Sequence, residues 1–137
     1  MRDFINKRKR MTSLKEKMNK KENKLVDMST SFAVDILNLV EFLLANKVGI
    51  IPNQIGRSGT SIGANVREAQ YAQGKKDFVS KLKIALKEAN ETVYWLELLL
   101  KTNAINKEYF DNLNEKCTAI KFVLIKSCNT AQSSFLN

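Results

Sequence analysis

The sequence predicts an all-α fold, an antiparallel up-down-up-down four-helix bundle. Three observations predict it. The 137 residues include one proline and five glycines, too few for a turn-rich β fold. Apolar residues recur at three- and four-residue steps through four successive segments. The connections between those segments are short, which favours antiparallel neighbours. The length suits one domain with a real core, and 44% hydrophobic and 27% charged residues are ordinary for a folded chain.

The first helix is expected over about residues 29–46. Phe32, Ile36, Leu39, Val40 and Leu43 form one apolar stripe, and Val34, Leu37 and Leu44 widen it enough to touch more than one neighbour. Ser29, Thr30 and Ser31 offer N-cap oxygens. The helix should stop before Gly49, and Pro52 suits the first turn of the next. The second helix, about 53–72, is crowded in its first half by Gly56, Ser58, Gly59, Thr60, Ser61, Gly63 and Ala64. Each interior glycine costs about 1 kcal/mol relative to alanine, so close approach by a neighbouring backbone is the expected compensation. Gly59 and Gly63 share a face, which fits. A phosphate-cradling glycine loop is the weaker reading, because no Gly-Lys-Ser/Thr ending and no preceding strand accompany it.

Gly74 separates the second helix from the third, expected over about 75–102. Its main stripe is Phe78, Leu82, Ala85, Leu86, Ala89, Val93, Leu96 and Leu100, with Ile84, Trp95, Leu98 and Leu99 off it. Apolar residues on more than one side point to a second buried surface, inside the bundle or against another subunit. Asn106 is a natural N-cap for the fourth helix, whose core face is Phe110, Leu113, Cys117, Ile120 and Leu124. Phe122, Val123 and Ile125 again exceed one stripe, and the polar tail after Cys128 is expected to fray.

Charge divides the chain. Residues 1–24 hold ten Lys/Arg against three Asp/Glu, and the other 113 residues hold thirteen against eleven, so most of the net +9 is N-terminal. This stretch has few apolar residues and no evident helical period, which predicts a disordered basic arm. The domain reading is therefore an arm over 1–24, a bundle over 25–130 and a frayed tail over 131–137. Met11 and Met18 are alternative starts, and the arm is either a functional anion-binding segment or a solubilising leader. No apolar run follows the basic stretch as in a signal peptide. The apolar zone 32–45 is interrupted by Asp35, Asn38 and Glu41 and is too short to span a bilayer. The chain reads as cytoplasmic, with no membrane partner.

The absence of histidine excludes Ser–His and Cys–His dyads and imidazole metal ligands. Cys117 and Cys128, eleven residues apart, stand about 16 Å apart along one helix, too far for a disulfide, and read as buried thiols. No metal and no cofactor is expected. Arg57, Ser61, Asn65 and Glu68 share one face of the second helix, and Glu88 and Glu91 lie on the third. Two carboxylates three residues apart can do acid–base work or hold a metal. The favoured reading is a structural polar network in which Arg57 pairs with a glutamate across the interface, so that neither ion is buried alone. Lys76, Lys83, Lys87 and Lys101 fall on one stripe of the third helix with Tyr94, and Arg67 and Lys75 lie nearby. Such a stripe can follow a phosphate backbone. The blander reading is a solvated face on which Lys87 pairs with Glu91 and Lys101 with Glu97.

The run Arg57-Ser58-Gly59-Thr60-Ser61-Ile62-Gly63-Ala64-Asn65-Val66-Arg67-Glu68-Ala69 resembles the signature of the bacterial 23S rRNA intervening-sequence proteins. So do Asp77-Phe78, Lys81-Leu82, Ile84-Ala85-Leu86-Lys87-Glu88-Ala89-Asn90-Glu91-Thr92 and Tyr94-Trp95-Leu96. The resemblance covers about residues 18–130. It implies a four-helix bundle that assembles as a homopentamer and carries no enzymatic activity. Relatives in diversity-generating retroelements, the accessory variability determinants, bind nucleic acid and a reverse transcriptase, so RNA, DNA or a protein such as a reverse transcriptase are the implied partners. The sequence reading is thus a non-enzymatic homo-oligomer binding RNA or DNA, with Lys20, Lys21, Lys24, Arg67, Lys75, Lys76, Lys83 and Lys87 as candidate contacts. A protein-interaction scaffold is the alternative.

Overall fold

The computed structural model describes residues 2–133, without the side chains of residues 11, 12, 14–19 and 21–23. The elements among the described residues are helices, with no strand: α1 (Arg2–Ala45), α2 (Ile51–Gln70), α3 (Lys75–Lys101) and α4 (Lys107–Ser133).

α1 departs from expectation at its start. It runs 44 residues and includes the stretch 2–24 expected to be a disordered arm. The first glycine is Gly49 and the only proline Pro52, so nothing earlier breaks a helix. Phe4, Met11, Met18, Leu25, Phe32 and Leu39 recur every seven residues, a helical register that the dense lysines obscure. Ser29 is consequently buried in mid-helix, its hydroxyl donating to the Val26 carbonyl at 3.2 Å instead of capping.

α1 stops at Ala45, before Gly49 as expected, and α3 at Lys101, within one residue of expectation. The turn after α1 carries Lys47 in the left-handed region (φ 59°), and the Val48 N–H donates to the Leu43 carbonyl at 3.0 Å. The turn after α3 is made in the same way by Asn103 (φ 60°), with the Ala104 N–H on the Leu99 carbonyl at 2.9 Å. Pro52 does sit in the first turn of α2. Asn106 caps α4 as expected, its Oδ1 accepting from the Tyr109 N–H at 2.8 Å. α4 keeps its helix to Ser133 with Cys128 and Ala131 buried, so the expected fraying does not reach 131–133. Residues 134–137 lie outside the described residues.

Sequential helices pack as antiparallel neighbours, and α4 returns to α1. Val40, Ile36 and Ser29 descend α1 as Gly56, Gly59 and Gly63 ascend α2. Between α2 and α3, Arg57 meets Glu91 and Glu68 meets Lys81. Between α3 and α4, the Cys117 thiol donates to the Ala89 carbonyl at 3.5 Å, and Lys83 acts electrostatically on Cys128. Between α1 and α4, Phe42 meets Tyr109 and Asp35 meets Lys116.

The core is built from Leu25, Phe32, Ile36, Leu39 and Leu43 of α1, with Ile55, Ile62 and Val66 of α2. Leu82, Ala85, Leu96 and Leu99 of α3 and Leu113, Cys117, Ile120 and Leu124 of α4 complete it. The α3 face is turned slightly from the expected stripe: Val79, Thr92 and Leu99 are buried, whereas Phe78, Leu86 and Val93 are half-buried. Val34, Leu37 and Leu44 of α1 and Phe122 and Ile125 of α4 are exposed.

The segment Lys24–Ala45 is long and apolar enough to cross a membrane by length and composition, with mean hydropathy 1.5, although the shorter zone 32–45 was expected to fall short. A core helix of a water-soluble bundle meets the same criterion. Here Phe32, Ile36, Leu39 and Leu43 are fully buried in the bundle and Asp35 is held by Lys116.

Candidate functional site

The signature stretch of α2 lies between α1 and α3. Small residues there let the helices close up. A Cβ added at Gly59 would meet Cγ1 and Cγ2 of Ile36 at 2.8 Å, inside contact distance. At Gly56 it would meet Val40 at 3.3 Å. Gly63 is different: its nearest neighbours, on Ser29, are at 3.5 Å, an ordinary contact. The close approach expected of both Gly59 and Gly63 therefore belongs to Gly59, with Gly56 tight. On the α3 side the buried hydroxyl of Thr92 donates to Ser58 Oγ at 2.9 Å, and no described buried side-chain polar atom is left unsatisfied.

Arg57 is the centre of the polar cluster. Its guanidinium reaches Glu88 at 3.3 Å and also bonds Glu91. The Trp95 indole N–H donates to the same Glu91 oxygen at 3.3 Å. The side chains of Arg57, Glu88 and Glu91 are 50%, 16% and 31% exposed, so solvent screens the cluster and its stabilisation is on the order of 1 kcal/mol. The other residues on that face of α2 do not join it. Ser61 Oγ donates to the Arg57 carbonyl at 2.6 Å and Asn65 Nδ2 to the Ser61 carbonyl at 2.9 Å, both within α2. Glu68 pairs instead with Lys81 at 3.1 Å. With both α3 carboxylates on Arg57, the pair is arranged as a clamp between helices. Among the described residues no group of three or more His, Cys, Asp or Glu side chains is placed to hold a metal.

The clamp changes the lysine stripe. Glu91 was the expected partner of Lys87, but Arg57 and Trp95 occupy it. Asp77 accepts from the Gln73 N–H at 3.4 Å, and Glu68 is taken by Lys81. Lys76, Lys83 and Lys87 are exposed and form no ion pair with a described residue; the expected pair of Lys101 with Glu97 is also absent. The three lysines line an apolar groove of about 670 Å³ beside the end of α4. Arg67 is exposed and donates to Thr30 on α1 at 3.2 Å. Lys20, Lys24 and Lys75 are exposed, and Lys75 has an interaction of its own. The Lys21 side chain lies outside the described residues. Tyr94 is half exposed and meets Trp95 edge-on at 4.9 Å between ring centroids.

The opposite seam, between α4 and α1, holds a polar cleft of about 380 Å³ bounded by Asp35, Asn38, Asn106, Tyr109 and Lys116. Lys116 Nζ donates to Asp35 at 2.7 Å, a link between helices not foreseen in the sequence. Burial, then the nearby Asp35 charge, pushes the Tyr109 hydroxyl pKa up. Burial pushes the Cys117 thiol up to about 11, outweighing the opposing charge of Lys121, and burial also raises Cys128. Both thiols are free and buried, and poor nucleophiles at neutral pH.

The clamp of Arg57 with Glu88 and Glu91 and the Gly59 notch occupy the two sequence blocks that carried the family resemblance. A model of the family described as 23S rRNA-intervening sequence protein matches residues 21–126. The chain belongs to this family. A crystal structure of a protein of unknown function from the S23 ribosomal protein family, from Bacteroides thetaiotaomicron, is similar at 51% identity with a TM-score of 0.79. The match covers 80% of this chain and 98% of that one. No curated protein matches the chain. The family model begins at residue 21, so residues 2–20 of α1 lie outside the family pattern. Neither the family description nor the structural relative indicates an enzymatic activity.

Proposed function

We propose that this intervening-sequence family chain is a non-enzymatic, cytoplasmic accessory factor that binds RNA or DNA, built as a ring-like homopentamer of four-helix bundles. The observation that carries the nucleic-acid reading is the polarity of charge along the bundle. The ion pairs Asp35–Lys116 and Arg57–Glu88 mark its middle. On the side where α2 ends and α3 begins, residues 24–34, 61–86 and 118–133 hold eight Lys/Arg against three Asp/Glu. On the other side, residues 37–55 and 92–115 hold three against five. α1 continues from the basic end into residues 2–23, with nine Lys/Arg against three Asp/Glu. Basic charge gathered at one end is the electrostatic footprint of a polyanion partner.

Assembly is supported by the exposed Val34, Leu37 and Leu44 of α1 and Phe122 and Ile125 of α4, which a single chain leaves in water. Closed symmetry multiplies a modest basic patch around the ring. Two measurements test the reading. Light scattering after size-exclusion chromatography should give five times the chain mass; a strict monomer rejects the assembly. Affinity for structured RNA and duplex DNA should fall steeply from low to physiological salt, with a slope that counts neutralised phosphates. No binding at low salt rejects the nucleic-acid role. A specific protein captured in a nuclease-resistant complex would then favour the scaffold.

A further inference from the structure

We propose that the groove along α3 is the seat of a single-stranded nucleic-acid segment. It is lined by Lys76, Val79, Ser80, Lys83, Ile84 and Lys87 of α3 and by Gln132 of α4. The inference rests on the nucleic-acid reading above and narrows it to one groove and one kind of strand.

The three lysines lie along one side of a helix. Lys83 and Lys87 are one turn apart, about 6 Å, and Lys76 stands two turns before Lys83, about 10 Å. That is a row of cations running with the groove. Among the described residues their charge is not spent, since the nearby carboxylates Asp77, Glu88 and Glu91 are committed to Gln73, Arg57 and Trp95. No described acidic residue lines the groove. An anion lying in it therefore meets uncompensated positive charge and no repulsion from the walls.

The apolar lining selects among polyanions. Ile84 is 40% exposed on one side of the lysine row, and the buried Val79 lies on the other. A duplex presents phosphate and sugar to a surface and keeps its base faces stacked inside. An unpaired strand turns base faces outward, and the exposed Ile84 side chain offers them apolar contact. The Gln132 amide in the lining offers a donor and an acceptor to a base edge without adding charge. Lysines beside an apolar lining match a strand with accessible bases better than they match a closed helix.

The test uses the full chain and a fluorescently labelled single-stranded RNA twelve-mer, alone and annealed to its complement, followed by anisotropy at several salt concentrations. The wild-type chain is expected to bind the single strand about tenfold more tightly than the duplex. K83Q/K87Q should weaken single-strand binding at least tenfold and make the salt slope shallower by between one and two. Ile84→Ser should weaken single-strand binding several-fold and leave the salt slope unchanged, a signature that loss of charge does not produce. K107Q, on the acidic end, should change neither. Circular dichroism and elution volume confirm that each variant is folded and assembled. Tight single-strand binding unaffected by K83Q/K87Q and by Ile84→Ser overturns the groove and leaves the broader reading standing. Equal or tighter binding of the duplex overturns the strand assignment. Absence of binding to either probe by the wild-type chain overturns both.

Discussion

α2 and α4 both pack against α1 and α3, yet they join them by different means. α2 approaches with its backbone. Gly56 and Gly59 bring it against Val40 and Ile36, Ser58 meets Thr92 through hydroxyls, and Arg57 clamps two glutamates. α4 approaches with side chains. Leu113, Cys117, Ile120 and Leu124 fill the space, and the polar cleft beside Asp35 and Lys116 stays open. The α2 seam is set by position, because one added carbon at Gly59 has nowhere to go. The α4 seam is set by volume, and many apolar residues of similar size can serve there. This is why the recognisable signature lies in α2 and the facing part of α3, whereas α4 reads as a generic amphipathic helix.

Each seam can be perturbed by itself. The largest expected effect is on α4: Leu124→Ala empties a fully buried site and should cost about 2–5 kcal/mol in urea unfolding. Next comes pH. Cys117 has its pKa raised from 9.0 to about 11, so the unfolded chain releases this proton first as pH rises. Stability from this group is therefore complete below about pH 9 and falls progressively up to pH 11, by on the order of 2 kcal/mol. Cys117→Ser titration curves should lack that component. On the α2 side, Gly59→Ala should destabilise by about 1–3 kcal/mol, since overpacking against Ile36 exceeds the helix-propensity gain. Arg57→Gln should cost about 1 kcal/mol and alter Trp95 emission, because Glu91 loses its cation. The smallest effect has the opposite sign: Gly63→Ala has room and should be neutral or stabilising by up to about 1 kcal/mol in thermal melts. If Gly59 and Gly63 respond alike, the positional account of the α2 seam fails.

The helices and much of the core were legible because apolar spacing is a direct print of burial. The Arg57 pairing with Glu88 and Glu91 was legible too, since an arginine on one signature helix faced two glutamates on the next. Three features were not. The early start of α1 was masked by lysines, although Phe4, Met11 and Met18 keep the seven-residue register of Leu25 and Phe32. The left-handed turn residues are Lys47 and Asn103, which carry little left-handed preference or only a moderate one, because the backbone bonds after each helix hold the turn. The freedom of Lys87 could not be read from spacing, since it depends on Glu91 being drawn away by a residue more than thirty positions earlier. Local patterns announce which residues can pair; competition between helices decides which do.

The lone tryptophan gives the molecule a built-in optical reporter. Trp95 is the only indole in the chain, and its N–H rests on the carboxylate that Arg57 holds. Its emission therefore reads the α2–α3 joint without any attached dye. In a symmetric assembly each copy would report the same joint, so a single spectrum follows all of them at once.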